Sequence, residues 1–383
     1  MADSLPPITL PVLDISNPLD PATGKALLDA AATYGFLYVD SRGTDFTAEE
    51  VDRAFELSKT FFASPVEEKE KCRIEPNNRG WSGMHSETLD PEHQRTGDFK
   101  EAFNFGEFLP TNKAQQPLPA SLTPHEAEIA HFASLCNKTC SRILTLLALG
   151  LGIPPDFFTT RHDPTRGPTG SILRYLYYPS ISAPETSSYK HDVDVRAGAH
   201  SDYGSITLLF QRPGQPGLEI LPPSSVTAQE KQEWASVPVI PVTKSNNNNS
   251  NSNSGEEIEK DNEKEEEYPF PPILINIGDL LSYWTNGLLK STVHRVVFPL
   301  SEQRVPNPQD RYSIAFFCHP MDRTELVPVP SRVVEEYHEK GVGGGGDGVG
   351  FGGGAGRLGE GRTITAHEHL MARLNATYSF RKD

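Results

Sequence analysis

The region from residue 171 to residue 320 constrains the fold most, because it breaks into short strand-like runs separated by turn residues. Residues 171–178 form one such run, which stops at Pro179, and residues 205–210 form another. The dipeptide Asn286-Gly287 is a strong tight-turn signal ahead of a later run. Many short strands with few helical signals are typical of a double-sheet jelly roll. We therefore predict an α+β protein whose core is a double-stranded β-helix (jelly roll), flanked by N-terminal and C-terminal helices.

Helical periodicity is found on both sides of this region. The tetrapeptides at 47–50 and 365–368 are capping-box patterns, which mark the first turns of two helices. Residues 79–108 have weak periodicity, and we predict loops and short strands near the mouth of a site. The other predicted elements are strands over 8–15 and 36–39, helices over 20–34, 47–62, 124–151 and 365–375, and a helical turn over 65–71.

Two low-complexity segments interrupt the chain. Residues 244–267 join an Asn/Ser run to an acidic tract, and we expect a disordered insert because they cannot bury apolar surface. Residues 341–361 contain 13 Gly in 21 positions, which indicates a flexible linker. We predict three regions, listed by their limits: an N-terminal region over 1–125 that packs on the core, the jelly-roll core over 126–320, and a C-terminal segment over 321–383.

The charge balance argues against some classes of partner. The chain has 35 Lys and Arg against 51 Asp and Glu, a formal net charge of −16, which disfavours nucleic acid and anionic membrane surfaces. No apolar run approaches the roughly 18 residues of a membrane span, and the N-terminus lacks the features of a signal peptide. The four Cys are too sparse for a disulfide scaffold. We predict a cytoplasmic monomer without nucleic-acid or membrane partners.

The segment around His200 and Asp202 carries the chemistry. Side chains at i and i+2 of a strand leave the same face, so this imidazole and carboxylate converge. His294 lies on a later strand-like run, followed by Arg311-x-Ser313. Two His and one carboxylate leave about half of an octahedral coordination sphere open, as in non-haem Fe(II) oxygenases. An isolated His-x-Asp/Glu pair is weak evidence, and the order of all these parts provides the specificity.

These stretches closely resemble the Fe(II)/2-oxoglutarate-dependent dioxygenases of the isopenicillin N synthase-like family, and the two low-complexity segments resemble its fungal members. The similarity extends over nearly the whole chain outside the low-complexity segments. The stretches that carry it most closely are residues 200–209, 276–279, 284–287, 290–296 and 311–313, and the N-terminal part is similar over 10–14, 34–39 and 98–101.

The resemblance implies the site residues and the co-substrates. Fe(II) would be held by His200, Asp202 and His294. The far carboxylate of 2-oxoglutarate would bind Arg311, whose planar fork suits a carboxylate. Ser313 and Tyr178 would also bind that carboxylate. Many members carry Asn two residues before this Tyr, whereas this chain has Leu176, so the contact of that Asn must be lost or replaced.

The implied reaction consumes O2 and 2-oxoglutarate, releases succinate and CO2, and hydroxylates or desaturates a small organic molecule, with ascorbate as the reductant. We expect a moderately apolar substrate from secondary metabolism, in a pocket near Tyr189, Phe105 and Phe317. The alternatives are a pyrimidine-base hydroxylase, a 2-oxoglutarate-independent Fe(II) oxidase of the isopenicillin N synthase type, and a non-catalytic jelly-roll binding protein. A zinc hydrolase is less favoured, because no general base is placed beside the three ligands.

Overall fold

Two β-sheets enclose the centre of the molecule in a computed structural model that describes residues 7–108, 112–191, 193–223, 233–242, 268–340 and 363–377. The predicted insert and Gly-rich linker lie outside these described residues. The large sheet has the strand order β1 (Val12–Leu13), β2 (Phe36–Val39), β10 (Ile273–Ile277), β7 (Ile206–Gln211), β12 (Arg311–Cys318), β5 (Ile172–Tyr178), β4 (Glu101–Phe105) and β3 (Gly80–Ser82). The small sheet has the order β6 (Ala197–His200), β11 (His294–Val296), β8 (Leu218–Ile220) and β9 (Ala235–Ser236).

Alternate residues of the large sheet face different layers. In β12, Ile314 and Phe316 belong to the main hydrophobic core beneath the sheet, whereas Ala315 belongs to a second cluster that it shares with the small sheet. In β5, Tyr175 likewise belongs to the main core and Leu176 to the second cluster. This alternation follows from the two-residue period of a strand. Within the described ranges, these strands pair antiparallel except for β1 with β2. The architecture is the predicted α+β jelly roll.

The helices cover the outer face of the large sheet and its ends. Thr47 caps α2 with the predicted capping box, in which Glu50 is the reciprocal partner. Thr365 and Glu368 form the same arrangement at the start of the last helix. The helices are α1 (Pro21–Thr33), α2 (Ala48–Phe62), α3 (Val66–Glu70), α4 (Glu126–Gly150), α5 (Asp279–Trp284), α6 (Leu300–Gln303), α7 (Arg332–Glu339) and α8 (Ala366–Thr377). No helix in the part of the chain that the structure describes is long and apolar enough to cross a membrane.

The predicted secondary structure is wrong in the length of one strand and lacks one short helix. The first strand is two residues long instead of eight, and Pro11, which lacks an N–H, lies immediately before it. Helix α5 was not predicted, because six residues are too few to show helical periodicity. The predicted tight turn at Asn286 and Gly287 is present: their φ values are 51° and 77°, and the turn lies between α5 and β11.

Strands β1–β4 come from the predicted N-terminal region, yet they extend the same sheet as the core strands. This arrangement is compatible with a region that packs on the core. The limits at residues 125 and 320 stay predictions.

Candidate active site

A cavity lies between the two sheets and is lined by alternate residues of strands β5, β7 and β12 of the large sheet. From β12 it receives Arg311, Ser313, Ala315 and Phe317. The neighbouring strand β5 contributes Ile172, Arg174, Leu176 and Tyr178, and the register places Tyr178 opposite Arg311 and Ile172 opposite Phe317. The opposite wall includes residues of the small sheet, and it carries His200 and His294.

His200, Asp202 and His294 come together at this wall. One ligand atom from each lies within 4.8 Å of the others, and no other such group of three occurs among the described residues. The Nε2 atoms of His200 and His294 are 3.8 and 3.7 Å from Oδ1 of Asp202. The two imidazole rings have centroids 4.3 Å apart. The predicted convergence of two imidazoles and a carboxylate is therefore present, with the ligand atoms pointing at one another.

Hydrogen bonds to the backbone orient both imidazoles. Nδ1 of His200 donates to the carbonyl of Gly198 at 2.8 Å, and Nδ1 of His294 donates to the carbonyl of Thr292 at 3.1 Å. A carbonyl oxygen can only accept, so the proton of each neutral ring resides on Nδ1. Nε2 is then left with its lone pair directed at Asp202. This is the tautomer that a metal-binding histidine needs.

The carboxylate of Asp202 is fixed by two donors that the sequence interpretation missed. Thr207 Oγ1 and Asn276 Nδ2 each donate to Oδ2 at 2.6 Å, which leaves Oδ1 facing the imidazoles. The strand register explains their convergence, because Thr207 of β7 pairs directly with Asn276 of β10. A polar residue between Ile275 and Ile277 was an available signal for Asn276.

The electrostatics favour a neutral imidazole beside an ionised carboxylate. Burial, helped by His294, lowers the pKa of His200 to about 3. Burial opposes ionisation of Asp202, but the neighbouring histidines and the two donors outweigh it and hold its pKa below the usual value. Two imidazole nitrogens and one carboxylate oxygen are a donor set that fits Fe(II).

Arg311 lies at one end of the cavity and has no carboxylate partner among the described residues. Its guanidinium is buried, yet its hydrogen bonds are long and go to neutral acceptors, Ser313 Oγ at 3.3 Å and Gln211 Oε1 at 3.4 Å. Its Nε has no hydrogen-bond partner within the described ranges. The ring of Tyr178 lies under the guanidinium, with 4.9 Å from Cζ to the ring centroid. Burial lowers the pKa of Arg311, which means that the bare cation is disfavoured in this position.

The other end of the cavity is apolar. Phe317 and Ile172 line it from the large sheet, and Leu370 and Leu374 line it from α8. Six residues of extended strand separate Phe317 from Arg311, a distance of about 20 Å. The cavity therefore has a cationic end and an apolar end, and the three candidate ligands also line it.

A buried lysine adds a polar group to the cavity wall. Lys100 forms ion pairs with Asp98 and, at 3.0 Å, with Glu87. Burial disfavours its charge, but these two carboxylates raise the pKa of Lys100 above the usual value. Asp98 also accepts from the backbone N–H of Gly198, so the cluster is joined to the strand of His200.

Of the three residues expected near the substrate pocket, one lines the cavity and two do not. Phe317 lines the cavity, whereas Phe105 is buried in the main core and Tyr189 packs on Phe99 and Phe298. The expectation for Phe105 and Tyr189 is therefore wrong. The sequence interpretation also missed the lining residues Asn78, Leu89, Arg174, Tyr203, Leu370 and Leu374.

Two known families match the sequence. Residues 10–126 match the family described as the N-terminal region of the non-haem dioxygenase in morphine synthesis. Residues 245–320 match the 2OG-Fe(II) oxygenase superfamily.

Similar proteins cover most of the chain. The UPF0676 protein C1494.01 of Schizosaccharomyces pombe is 34% identical over 375 residues, which are 97% of this chain and 94% of that protein. The 2-oxoglutarate-dependent dioxygenase htyE of Aspergillus rugulosus is 28% identical over 81% of this chain and 84% of its own length. The crystal structure of a full-length Neurospora crassa protein in complex with alpha-KG and thymine superimposes with a TM-score of 0.68, at 26% identity and 99% coverage of both chains.

Proposed function

This chain belongs to the 2OG-Fe(II) oxygenase superfamily, and we propose that its cavity binds 2-oxoglutarate at the Arg311 end and a small organic substrate at the apolar end. It is a 2-oxoglutarate-dependent dioxygenase that uses Fe(II). The residue roles and the substrate class are the proposal.

The observation that carries the proposal is the buried Arg311 guanidinium, which forms no ion pair among the described residues; the nearby Glu302 favours its charge but is paired with Arg196. A buried cation is costly unless an anion pairs with it. Because Arg311 faces the same cavity as the candidate triad, a dicarboxylate could reach both at once. One carboxylate would then satisfy the guanidinium, and the 2-oxo acid end would lie at the metal.

His200, Asp202 and His294 would hold Fe(II) through Nε2, Oδ1 and Nε2. Bound Fe(II) supplies the redox chemistry by which O2 oxidises 2-oxoglutarate to succinate and CO2 and oxidises the substrate. Arg311 orients the co-substrate through its fork, and Ser313 and the Tyr178 side chain complete that end. The protein also keeps water from the site through the apolar residues that line the walls.

The apolar end supports a small and largely apolar substrate. Phe317, Ile172, Leu370 and Leu374 offer no ionic contact there. The fungal dioxygenases among the relatives support hydroxylation or desaturation in secondary metabolism. A pyrimidine base is the second candidate, supported by the thymine bound to the Neurospora crassa protein and by the polar wall at Lys100 and Asn78.

Anaerobic titration of the Fe(II) protein with 2-oxoglutarate tests the co-substrate site. We expect a metal-to-ligand charge-transfer band in the wild type and a much weaker affinity in Arg311→Lys, because a point charge replaces a two-pronged donor. Absence of the band would favour the 2-oxoglutarate-independent oxidase. Absence of both the band and oxygen-dependent succinate formation would favour a non-catalytic binding protein.

A succinate-release screen tests the substrate class. The panel contains small apolar metabolites and pyrimidine bases, with Fe(II) and 2-oxoglutarate present. Stimulation by thymine alone would replace the secondary-metabolite proposal with the pyrimidine one. Repeating the screen without ascorbate tests the proposed reductant. Light scattering after gel filtration tests the proposed monomer, and localisation of a tagged chain tests the proposed cytoplasmic location.

A further inference from the structure

We propose that Asp279 is a positioning residue for the metal triad and that Arg373 of α8 completes it, so that the C-terminal helix is part of the metal site. The inference rests on the proposed metal site and adds two residues that would not touch the metal.

Asp279 forms hydrogen bonds with the two segments that carry the three candidate ligands. Its backbone N–H donates to the carbonyl of Asp202 at 2.7 Å. Its Oδ2 accepts from Ser201, the residue between His200 and Asp202, at 3.1 Å. Its Oδ1 accepts from Ser291 at 2.6 Å. Ser291 immediately precedes Thr292, whose carbonyl orients the imidazole of His294.

Arg373 supplies the counter-charge from a distant part of the chain. Its guanidinium forms an ion pair with Oδ2 of Asp279, and the two side chains are only 3% and 2% exposed. It also donates to Ser201 Oγ at 3.3 Å and lies over the ring of Tyr203, 5.3 Å from the centroid. Arg373 therefore contacts residues on both sides of Asp202.

The same face of α8 forms part of the cavity. Leu370, Arg373 and Leu374 have the i, i+3, i+4 spacing of one helix face. The two leucines line the apolar end, while the arginine reaches the triad segments. Gly170 makes room for the helix, because a Cβ there would fall 2.6 Å from Leu370 Cδ2.

Loss of Arg373 would leave the carboxylate of Asp279 buried without a partner cation. The carboxylate would then rotate or draw in water, and the hydrogen bonds to Ser201 and Ser291 would change with it. Since these serines flank the ligand residues, the ligand atoms would move. Residues that orient metal ligands typically change metal affinity about 10–100-fold when they are lost.

The test compares Arg373→Met with Lys69→Met in the full chain. Lys69 is a matched control, because it also forms a buried ion pair, with Glu101 at 2.8 Å, and does not line the cavity. Mn(II) affinity is measured by the electron paramagnetic resonance of free Mn(II), and the melting temperature of the metal-free protein is measured in parallel. We expect both variants to melt at lower temperature, but only Arg373→Met to bind Mn(II) about 10–100-fold more weakly. Arg373→Lys, which keeps the charge, should restore most of the affinity.

Ser291→Ala is a milder variant that keeps the inference testable if Arg373→Met does not fold. It removes one hydrogen bond to Asp279 and should weaken Mn(II) binding several-fold. Unchanged Mn(II) affinity in Arg373→Met, or in Ser291→Ala where the former is insoluble, would overturn the inference. Equal losses in Arg373→Met and Lys69→Met would overturn it too, because they would indicate a general loss of the fold. A wild-type protein that binds no Mn(II) would instead contradict the proposed metal site.

Discussion

Replacing Arg311 with Met should stabilise the metal-free, co-substrate-free protein while it abolishes the response to 2-oxoglutarate. The guanidinium is 2% exposed, and no described residue gives it an anionic partner. Burial of an unpaired ion costs several kcal/mol. Two long hydrogen bonds to neutral acceptors offset about 1 kcal/mol each, and the Tyr178 ring offsets about 2 kcal/mol at most. We therefore expect Arg311→Met to raise the free energy of unfolding by about 1–2 kcal/mol.

Arg196 provides a control, because its replacement by Met should lower the free energy of unfolding instead of raising it. It is also fully buried, but it donates to both carboxylate oxygens of Glu302, at 2.7 and 2.6 Å. Its removal leaves a buried carboxylate unpaired, which costs about 3–5 kcal/mol. Arg196→Met should therefore be strongly destabilised but should keep its response to 2-oxoglutarate.

Urea denaturation of the apoprotein measures the change in stability. Thermal melting of the Mn(II) protein with and without 2-oxoglutarate measures the stabilisation by the co-substrate. At a ligand concentration of about 100 Kd, binding adds about 2.7 kcal/mol to the wild type, which corresponds to a rise of about 3 °C in Tm for a chain of this length. Arg311→Met should show no such rise. The reasoning is refuted if this variant loses as much stability as Arg196→Met, or if its Tm still rises with 2-oxoglutarate.

Three further predictions concern the ligands, the acid response and the insert. Alanine at His200, Asp202 or His294 should abolish succinate release and stoichiometric iron binding, with circular dichroism near wild type; normal turnover in any of them would remove that residue from the site. Burial lowers the pKa of His162 to about 4, so between about pH 6.5 and 4 the unfolded chain binds a proton that the folded protein does not. The contribution of His162 to the free energy of unfolding should fall by about 3 kcal/mol as the pH is lowered across this range, and His162→Gln should remove that part of the pH dependence in urea titrations. Deleting residues 244–267 should leave succinate release near wild type, because loop closure varies slowly with length; insoluble protein would show that the insert has a structural partner.

The local part of the site could be predicted from the sequence. Arg311 and Ser313 are two residues apart within β12, and a strand places such a pair on one face whatever its neighbours are. His200 and Asp202 have the same spacing and do converge, although β6 ends at His200 and Asp202 lies just beyond it. The non-local part could not be predicted. Asn276 reaches Asp202 only because its strand pairs with β7 in a register that places it opposite Thr207. A shift of β10 by one residue would turn Asn276 to the other face of the sheet, away from Asp202.

The same limit explains why the pocket prediction is wrong for Phe105 and correct for Phe317. Both are aromatic residues on strands of the large sheet, and composition does not distinguish them. Phe317 pairs with Ile172, and both face the cavity, whereas Phe105 pairs with Leu173 on the core side. Ile172 and Leu173 are adjacent in β5, so a residue that pairs with the first faces the cavity and a residue that pairs with the second faces the main core.

Strand β12 connects the two proposed halves of the reaction. Its cavity-facing residues run from Arg311 and Ser313 at the cationic end to Ala315 and Phe317 at the apolar end. Its other face is held in the main core by Ile314 and Phe316. The strand therefore keeps a fixed distance between the co-substrate end and the apolar end of the cavity. Substitutions at Ala315 or Phe317 can change the shape of the apolar end without moving Arg311. Such a division allows a substrate pocket to change while the co-substrate site and the ligand triad are kept.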